Sequence, residues 1–253
     1  MNEKQIKVFN LLKSFMEIAN KHNLDYLLFY GSLLGAIRHN GFIPWDDDID
    51  FIIPIETLDF LKKHYPEKIK TNENSKNPLL FVKFSDDDED NEEAVFIDLF
   101  VVVKTNDKNI KKFLSLKRKI RALHSFTHRK TFKCQWGLRL LKFLSWWSWC
   151  AKKYTFIDAY NDLHDEKGNK YTVIYCPFKK DTLKSTFKNI DFKNFLTHKF
   201  ENIDVRIPTN WNDIIVQIYG KNWKVPIKFA TAEHLGLYDL KVCVHKNKKK
   251  QKH

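Results

Sequence analysis

Four carboxylates crowd into five positions, Asp46, Asp47, Asp48 and Asp50, immediately before the apolar run Phe51–Ile53. Like charges packed this closely beside a buried segment raise the electrostatic energy unless a cation neutralises them. Read as a strand, Asp48–Ile53 alternates at its start. That sets Asp48 and Asp50 on one face and Ile49 and Phe51 on the other. Such a pair can grip one or two hard cations through oxygen. Magnesium suits carboxylates combined with substrate phosphates, and manganese is an acceptable substitute. A calcium loop or a solvated turn is the alternative reading. Trp45 and Phe51–Ile53 argue against an exposed loop, and the spacing is not that of an EF-hand.

A third carboxylate, Asp98, is the one charge in Val95-Phe96-Ile97-Asp98-Leu99-Phe100-Val101. A lone Asp in a buried strand is costly unless it is paired or bound to metal. A neighbouring strand can bring it beside Asp48 and Asp50, and three converging carboxylates with a cation are equipment for phosphoryl transfer. Asp98 is then the group to accept a proton from an attacking hydroxyl. Upstream, Gly31-Ser32 follows the apolar run Tyr26–Tyr30, at a strand-to-helix turn where backbone N–H and hydroxyl donors can meet a phosphate. Arg38 can clamp phosphate bidentately or form a structural salt bridge. His39, Trp45 and Asp46 read as supporting residues, and His39 can equally be a loop residue. Lys83 can reach a phosphate or be an exposed strand lysine.

Periodicity predicts an α+β chain. Residues 3–22 place Ile6, Phe9, Leu12, Phe15, Met16 and Ala19 on one helical face. Strands are expected at 26–30, 48–53, 79–84 and 94–103, with helices at 33–38 and 55–65. From 109 to about 160 the pattern is helical and basic. Further strands are expected at 171–178 and 200–207, then a helix at 211–219 capped by Gly220. The expected organisation is a catalytic core at 1–105, a basic aromatic helical segment at 106–170, a C-terminal α+β part at 171–245 that completes the site, and a disordered lysine-rich tail at 246–253.

The block Tyr30-Gly31-Ser32-Leu33-Leu34-Gly35-Ala36-Ile37-Arg38-His39, with Gly41-Phe42-Ile43-Pro44-Trp45-Asp46-Asp47-Asp48-Ile49-Asp50, resembles the LicD family. Phe96–Phe100 looks like that family's second acidic strand. Pro208, Tyr219-Gly220, Trp223 and Pro226 look like its closing segment. The resemblance covers most of residues 24–103 and about 200–228. It implies a nucleotidyltransferase-like mixed sheet flanked by helices; the basic helical insertion is read from the pattern of the middle segment, which the resemblance does not cover. It also implies phosphocholine transfer from CDP-choline to a hydroxyl of a bacterial surface glycan, such as lipopolysaccharide or teichoic acid, with release of CMP. Another CDP-alcohol, carrying ribitol or glycerol phosphate, is the nearest alternative. The wider superfamily adds nucleotidyl transfer to RNA or to a small molecule. The Cys-rich zinc insertion associated with the fukutin-related branch is absent from the sequence, which favours the bacterial branch.

The net charge of +13 suits anionic partners, but no RNA-binding motif stands out and nucleic acid is not expected as a partner. Four tryptophans fall within residues 136–149, interleaved with Arg139, Lys142, Lys152 and Lys153. Trp136, Leu140, Phe143, Leu144 and Trp147 share one helical face. That composition fits a helix lying in the plane of an anionic membrane, or one packed with its aromatics in the core. No signal peptide and no apolar run of about 18 residues is visible, so the chain is expected to be cytoplasmic, peripheral on the inner membrane face if it binds lipid.

Overall fold

The computed structural model describes residues 1–75, 79–87, 95–127 and 135–227, the side chains of 125–127, 135–138 and 141 excepted. Most of the acidic run 86–93 and the lysine-rich tail therefore lie outside the described residues, as do Cys134 and Cys243.

Helix α1 (Glu3–Lys21) starts at a capping box: the Asn2 side chain accepts from the Gln5 N–H, and the Gln5 side chain accepts from the Asn2 N–H. It buries Gln5, Val8, Phe9, Leu12, Phe15, Met16 and Ala19. Ile6, expected on that face, is 47% exposed. The buried stripe runs through positions 5, 8 and 12, and Ile6 falls beside it. Phe15 stacks on Phe51 at 5.0 Å and meets Tyr26 edge-on at 5.7 Å, which seats α1 on the sheet.

Strand β1 (Leu27–Leu28) leads into helix α2 (Tyr30–His39), then strand β2 (Asp50–Ile53) and helix α3 (Ile55–His64). Short strands β3 (Ile69–Lys70) and β4 (Val82–Phe84) precede the long strand β5 (Ile97–Thr105). The order β1-β2-β5-β4-β3 is mixed: β2 and β5 run parallel, and the other pairs are antiparallel. Both central strands are covered on both faces: β2 is buried throughout and β5 is buried except at Lys104, and apart from Asp50 in β2 and Asp98, Lys104 and Thr105 in β5 they are apolar. The fold is α+β, a curled mixed sheet flanked by helices.

Beyond β5 come helices α4 (Asp107–Phe113), α5 (Leu116–Thr127) and α6 (Gln135–Leu144), a 3-10 segment Trp146–Cys150, and helix α7 (Phe156–Leu163). Asp162 ties this block together. It accepts from Arg118 Nε at 2.6 Å and Nη2 at 2.9 Å, and from the Tyr154 hydroxyl at 2.9 Å. Burial alone would raise the Asp162 carboxyl, but Arg118, Lys112 and Tyr154 together hold it well below the usual range. The aromatics of the 3-10 segment are not in the core. Trp146, Trp147 and Trp149 are 65%, 46% and 51% exposed, and the Trp136 side chain lies outside the described set.

The chain then returns to the same sheet. Strand β6 (Lys170–Val173) pairs with the second half of β5, Val102 facing Val173. Helix α8 (Lys179–Lys184) leads to strand β7 (Thr186–Phe187), which pairs with β6. A hairpin follows, β8 (Phe195–Phe200) and β9 (Ile203–Pro208), turning at Glu201 with φ of 53°. Helix α9 (Trp211–Tyr219) ends at Gly220, whose φ of 86° suits a residue without Cβ.

Candidate active site

The parallel pairing of β2 and β5 sets Asp50, the first residue of β2, directly opposite Asp98, the second residue of β5. The Asp98 N–H also donates to the Ile49 carbonyl at 2.8 Å, so the ladder starts one residue before β2 does. Asp48 stands just ahead of it in irregular chain, not in the strand. Strand alternation therefore does not account for its position. The loop 46–49 folds over, and carboxylate oxygens of Asp48, Asp50 and Asp98 all lie within 4.8 Å of one another. Asp50 and Asp98 are buried, and Asp48 is half-buried. Oxygen-only donors in this number suit a hard divalent cation, and the cluster can hold one.

Two features fix Asp50. The Gly31 N–H, in the first turn of α2, donates to Asp50 Oδ2 at 3.0 Å. The Ser32 hydroxyl accepts from the Asp50 N–H at 2.8 Å. Gly31 thus braces the carboxylate and Ser32 the backbone N–H of the same residue, and α2 begins at Tyr30, three residues ahead of the helix expected at 33–38. A Cβ on Gly31 would meet Asp46 Oδ2 at 3.1 Å and Asp50 Oδ2 at 3.4 Å, a tight fit that would push the Asp46 carboxylate by a few tenths of an ångström. The helix N-terminus adds favourable potential for the carboxylate.

Tyr30 makes this turn possible. It sits at φ of 42°, strained for a bulky residue, and such backbone costs on the order of 1 kcal/mol unless its surroundings enforce it. Its hydroxyl donates to Ser185 Oγ at 2.8 Å, and its ring packs edge-on against Phe29 and Phe100 at 5.0 and 4.9 Å.

The acidic loop is clamped from behind by α1. The Gln5 side-chain amide donates to the Asp46 carbonyl at 2.7 Å and to the Ile43 carbonyl at 3.3 Å. Lys4 pairs with Asp47 at 3.2 Å. Burial first, then the Asp48 charge, pushes the Asp46 carboxyl up to about 9. Burial, followed by Asp48, Asp98 and Asp46, drives the Asp50 carboxyl well above its ordinary range. So many carboxylates ionise together only at high electrostatic cost, and a cation relieves it.

Lys83 pairs across the sheet with Asp98, so both side chains share a face. It is buried rather than an exposed strand lysine, and its Nζ lies 3.5 Å from the Phe96 ring centroid. Arg38 and His39 sit at the other end of α2. Arg38 donates to the His39 ring at 2.9 Å and to the Trp223 carbonyl at 3.1 Å, tying α2 to the segment after α9. Burial and the adjacent guanidinium lower the His39 pKa, consistent with a neutral acceptor. Trp45 is half-buried against the core.

Tyr219 enters the sequence reading only through the closing segment of the family resemblance, not as a site residue. Its side chain is 41% exposed, yet its hydroxyl is held well above the usual range, by desolvation around the oxygen and then by Asp50, Asp46, Tyr30 and Asp48. The Tyr-Gly pair at the end of an apolar helix was the available signal.

Residues 23–136 match the family described as LicD/FKTN/FKRP, nucleotidyltransferase domain. The segment is a LicD-family domain. It contains all three clustered aspartates. A 50-residue stretch is 48% identical to the lipopolysaccharide cholinephosphotransferase LicD of Haemophilus influenzae, covering 20% of this chain and 19% of that one. Uncharacterised proteins of Rickettsia prowazekii and Rickettsia typhi match at 38% over 65 residues and 44% over 48 residues. These cover 26% and 19% of this chain, and 24% and 16% of the relatives. The chain thus spans about a fifth of the length of the curated relatives it matches. LicD-family members are transferases.

Proposed function

We propose that this chain transfers phosphocholine from CDP-choline to a hydroxyl of a bacterial surface glycan or glycolipid, releasing CMP. The observation that carries the reading is the register of Asp50 against Asp98 with Asp48 folded onto them, within a LicD-family domain. Asp48, Asp50 and Asp98 would hold magnesium, or manganese in its place. A divalent cation bound there supplies charge neutralisation for the donor phosphates.

The chain's own residues do the rest. Gly31 and Ser32 fix Asp50, so the ligand set is preorganised before the donor arrives. Asp98 accepts the proton of the attacking sugar hydroxyl. Lys83, across the strand from Asp98, adds positive charge where the phosphate accumulates negative charge. Arg38 joins α2 to the segment following α9 and so holds that segment against the end of the helix. The printed name of the Haemophilus relative supports the choline donor and a lipopolysaccharide acceptor. The reaction is read as cytoplasmic, at the inner membrane face. Among the described residues, no helix is long and apolar enough to cross a membrane.

The test incubates the purified chain with CDP-choline, CDP-ribitol, CDP-glycerol, CTP and ATP, with and without magnesium. CMP release from CDP-choline alone supports the reading. Release from CDP-ribitol or CDP-glycerol instead changes the transferred alcohol. Pyrophosphate release from CTP or ATP would replace it with nucleotidyl transfer.

A further inference from the structure

The sequence between Asp107 and Asp158 holds fourteen Lys and Arg residues and no Asp or Glu. Within it, α6 and the 3-10 segment present Leu140, Phe143, Leu144, Trp146, Trp147 and Trp149 at 42–73% exposure. Arg139 and Lys152 are exposed beside them, and Lys142 is half-buried. Large apolar side chains clustered at this exposure mark an interaction surface.

The aromatic side chains are exposed although the backbone beneath them is held. Arg121 donates from Nε to the Lys152 carbonyl and from Nη2 to the Lys153 carbonyl, each at 2.8 Å. It also pairs with Asp158. Asn72, buried beside the catalytic sheet, donates to the Tyr154 carbonyl at 2.9 Å and accepts from the Phe156 N–H at 3.1 Å. Ser145 and Ser148 turn inward. The outward-facing rings are therefore carried on a platform bolted to the catalytic domain. The Trp147 indole N–H donates to the Leu144 carbonyl at 3.0 Å, so this ring can enter an apolar phase without stranding its donor.

We propose that this face docks onto an anionic lipid bilayer surface, with the tryptophans and Phe143 at the level of the headgroups and the surrounding cations against the lipid phosphates. Charge complementarity selects this occupant. Lys112 and Arg118 pair with Asp162 and Arg121 with Asp158, which leaves Arg139, Lys142 and Lys152 as the cations flanking the exposed rings; lysine and arginine there match a negative membrane surface, whereas the core of a protein interface depletes lysine. Tryptophan prefers the membrane interface, where its ring is apolar and its edge polar. The face goes beyond the transferase reading and does not depend on it.

The test uses the full chain with vesicles of phosphatidylcholine alone, or with about 30% phosphatidylglycerol, at low salt. Flotation measures binding, and quenching of tryptophan emission by brominated acyl chains reports insertion. The chain is expected to float with the anionic vesicles only, with blue-shifted and quenched emission. The triple variant Phe143→Ser, Trp146→Ser, Trp149→Ser should keep its circular dichroism and bind about tenfold more weakly or worse. Arg139→Ser and Lys142→Ser should each weaken binding about fivefold. Absence of binding to anionic vesicles overturns the proposal. So does binding that is unquenched and unchanged in the triple variant, which would assign it to cations elsewhere. Self-association in lipid-free solution that the triple variant abolishes would mean that a second copy covers the face, and also overturns it. Vesicle binding without CMP release would sink the transferase reading and leave this one standing.

Discussion

Replacing Asp50 by asparagine should stabilise the metal-free protein while destroying its response to metal. Asp50 Oδ2 accepts the Gly31 N–H at 3.0 Å, and the side-chain oxygen of asparagine can keep that bond. What is lost is a negative charge facing Asp48 and Asp98, whose oxygens lie within 4.8 Å. One pair of unit charges at that separation repels by about 3.5 kcal/mol at an effective dielectric of about 20. Protons retained in the cluster already remove part of this, since Asp46 is pushed up to about 9 and Asp50 moves the same way. The net relief is then about 1–3 kcal/mol, which raises Tm by about 3–10 °C for a chain of this size.

The pH dependence has a definite sign. The folded Asp50 carboxyl titrates above its ordinary value of 3.8, so folding is penalised once the unfolded chain has ionised. The penalty is absent below that value and grows as pH rises toward the folded pKa. The advantage of Asp50→Asn should therefore be larger at pH 8 than at pH 5. Differential scanning calorimetry in EDTA at both pH values measures it. Magnesium should then raise the Tm of the wild type at pH 8 and leave the variant unmoved. A variant less stable than wild type in EDTA at pH 8 would show that Asp50 is a satisfied structural carboxylate, and the account of the cluster as a cation site would fail.

Asp98→Asn should lower transferase turnover about 10²–10⁴-fold while leaving the thermal transition cooperative; undiminished turnover removes Asp98 as the base. Gln5→Leu strands the Asp46 and Ile43 carbonyls, and should cost about 1–3 kcal/mol in urea denaturation and shrink the magnesium-induced Tm shift. A normal magnesium response in that variant would separate the α1 clamp from the site. Gly35→Ala places a Cβ 2.5 Å from the Gly41 carbonyl oxygen, a backbone atom that cannot move without shifting α2 or the following loop, and should cost about 1–3 kcal/mol. Unchanged stability there would mean that the loop yields freely.

Much of the site was legible because its chemistry is local. Asp98 stands out as the one charge in an apolar run, and that contrast needs no knowledge of the fold. The pairing that brings Asp98 to Asp50 is not local: β2 and β5 are parallel partners separated by α3, β3 and β4, and alternation within a strand fixes its face but not its neighbour. Asp48 is the instructive case. Alternation suggested that it joins Asp50 as a strand residue, yet it reaches the cluster from irregular chain held by Gln5, 41 residues before Asp46. Strands β3 and β7, two residues each, are too short to show a period of two. Strand β8 was passed over because its side chains are mostly exposed, leaving no apolar alternation to read. The role of Tyr219 is as non-local as the β2–β5 pairing, since α9 packs on α2 across most of the length of the chain. The middle segment shows the complementary limit. Periodicity identified an amphipathic aromatic helix, but a core face and a membrane face have the same composition; only the exposure of Phe143, Trp146 and Trp149 distinguishes them, and exposure is a property of what the rest of the chain leaves uncovered.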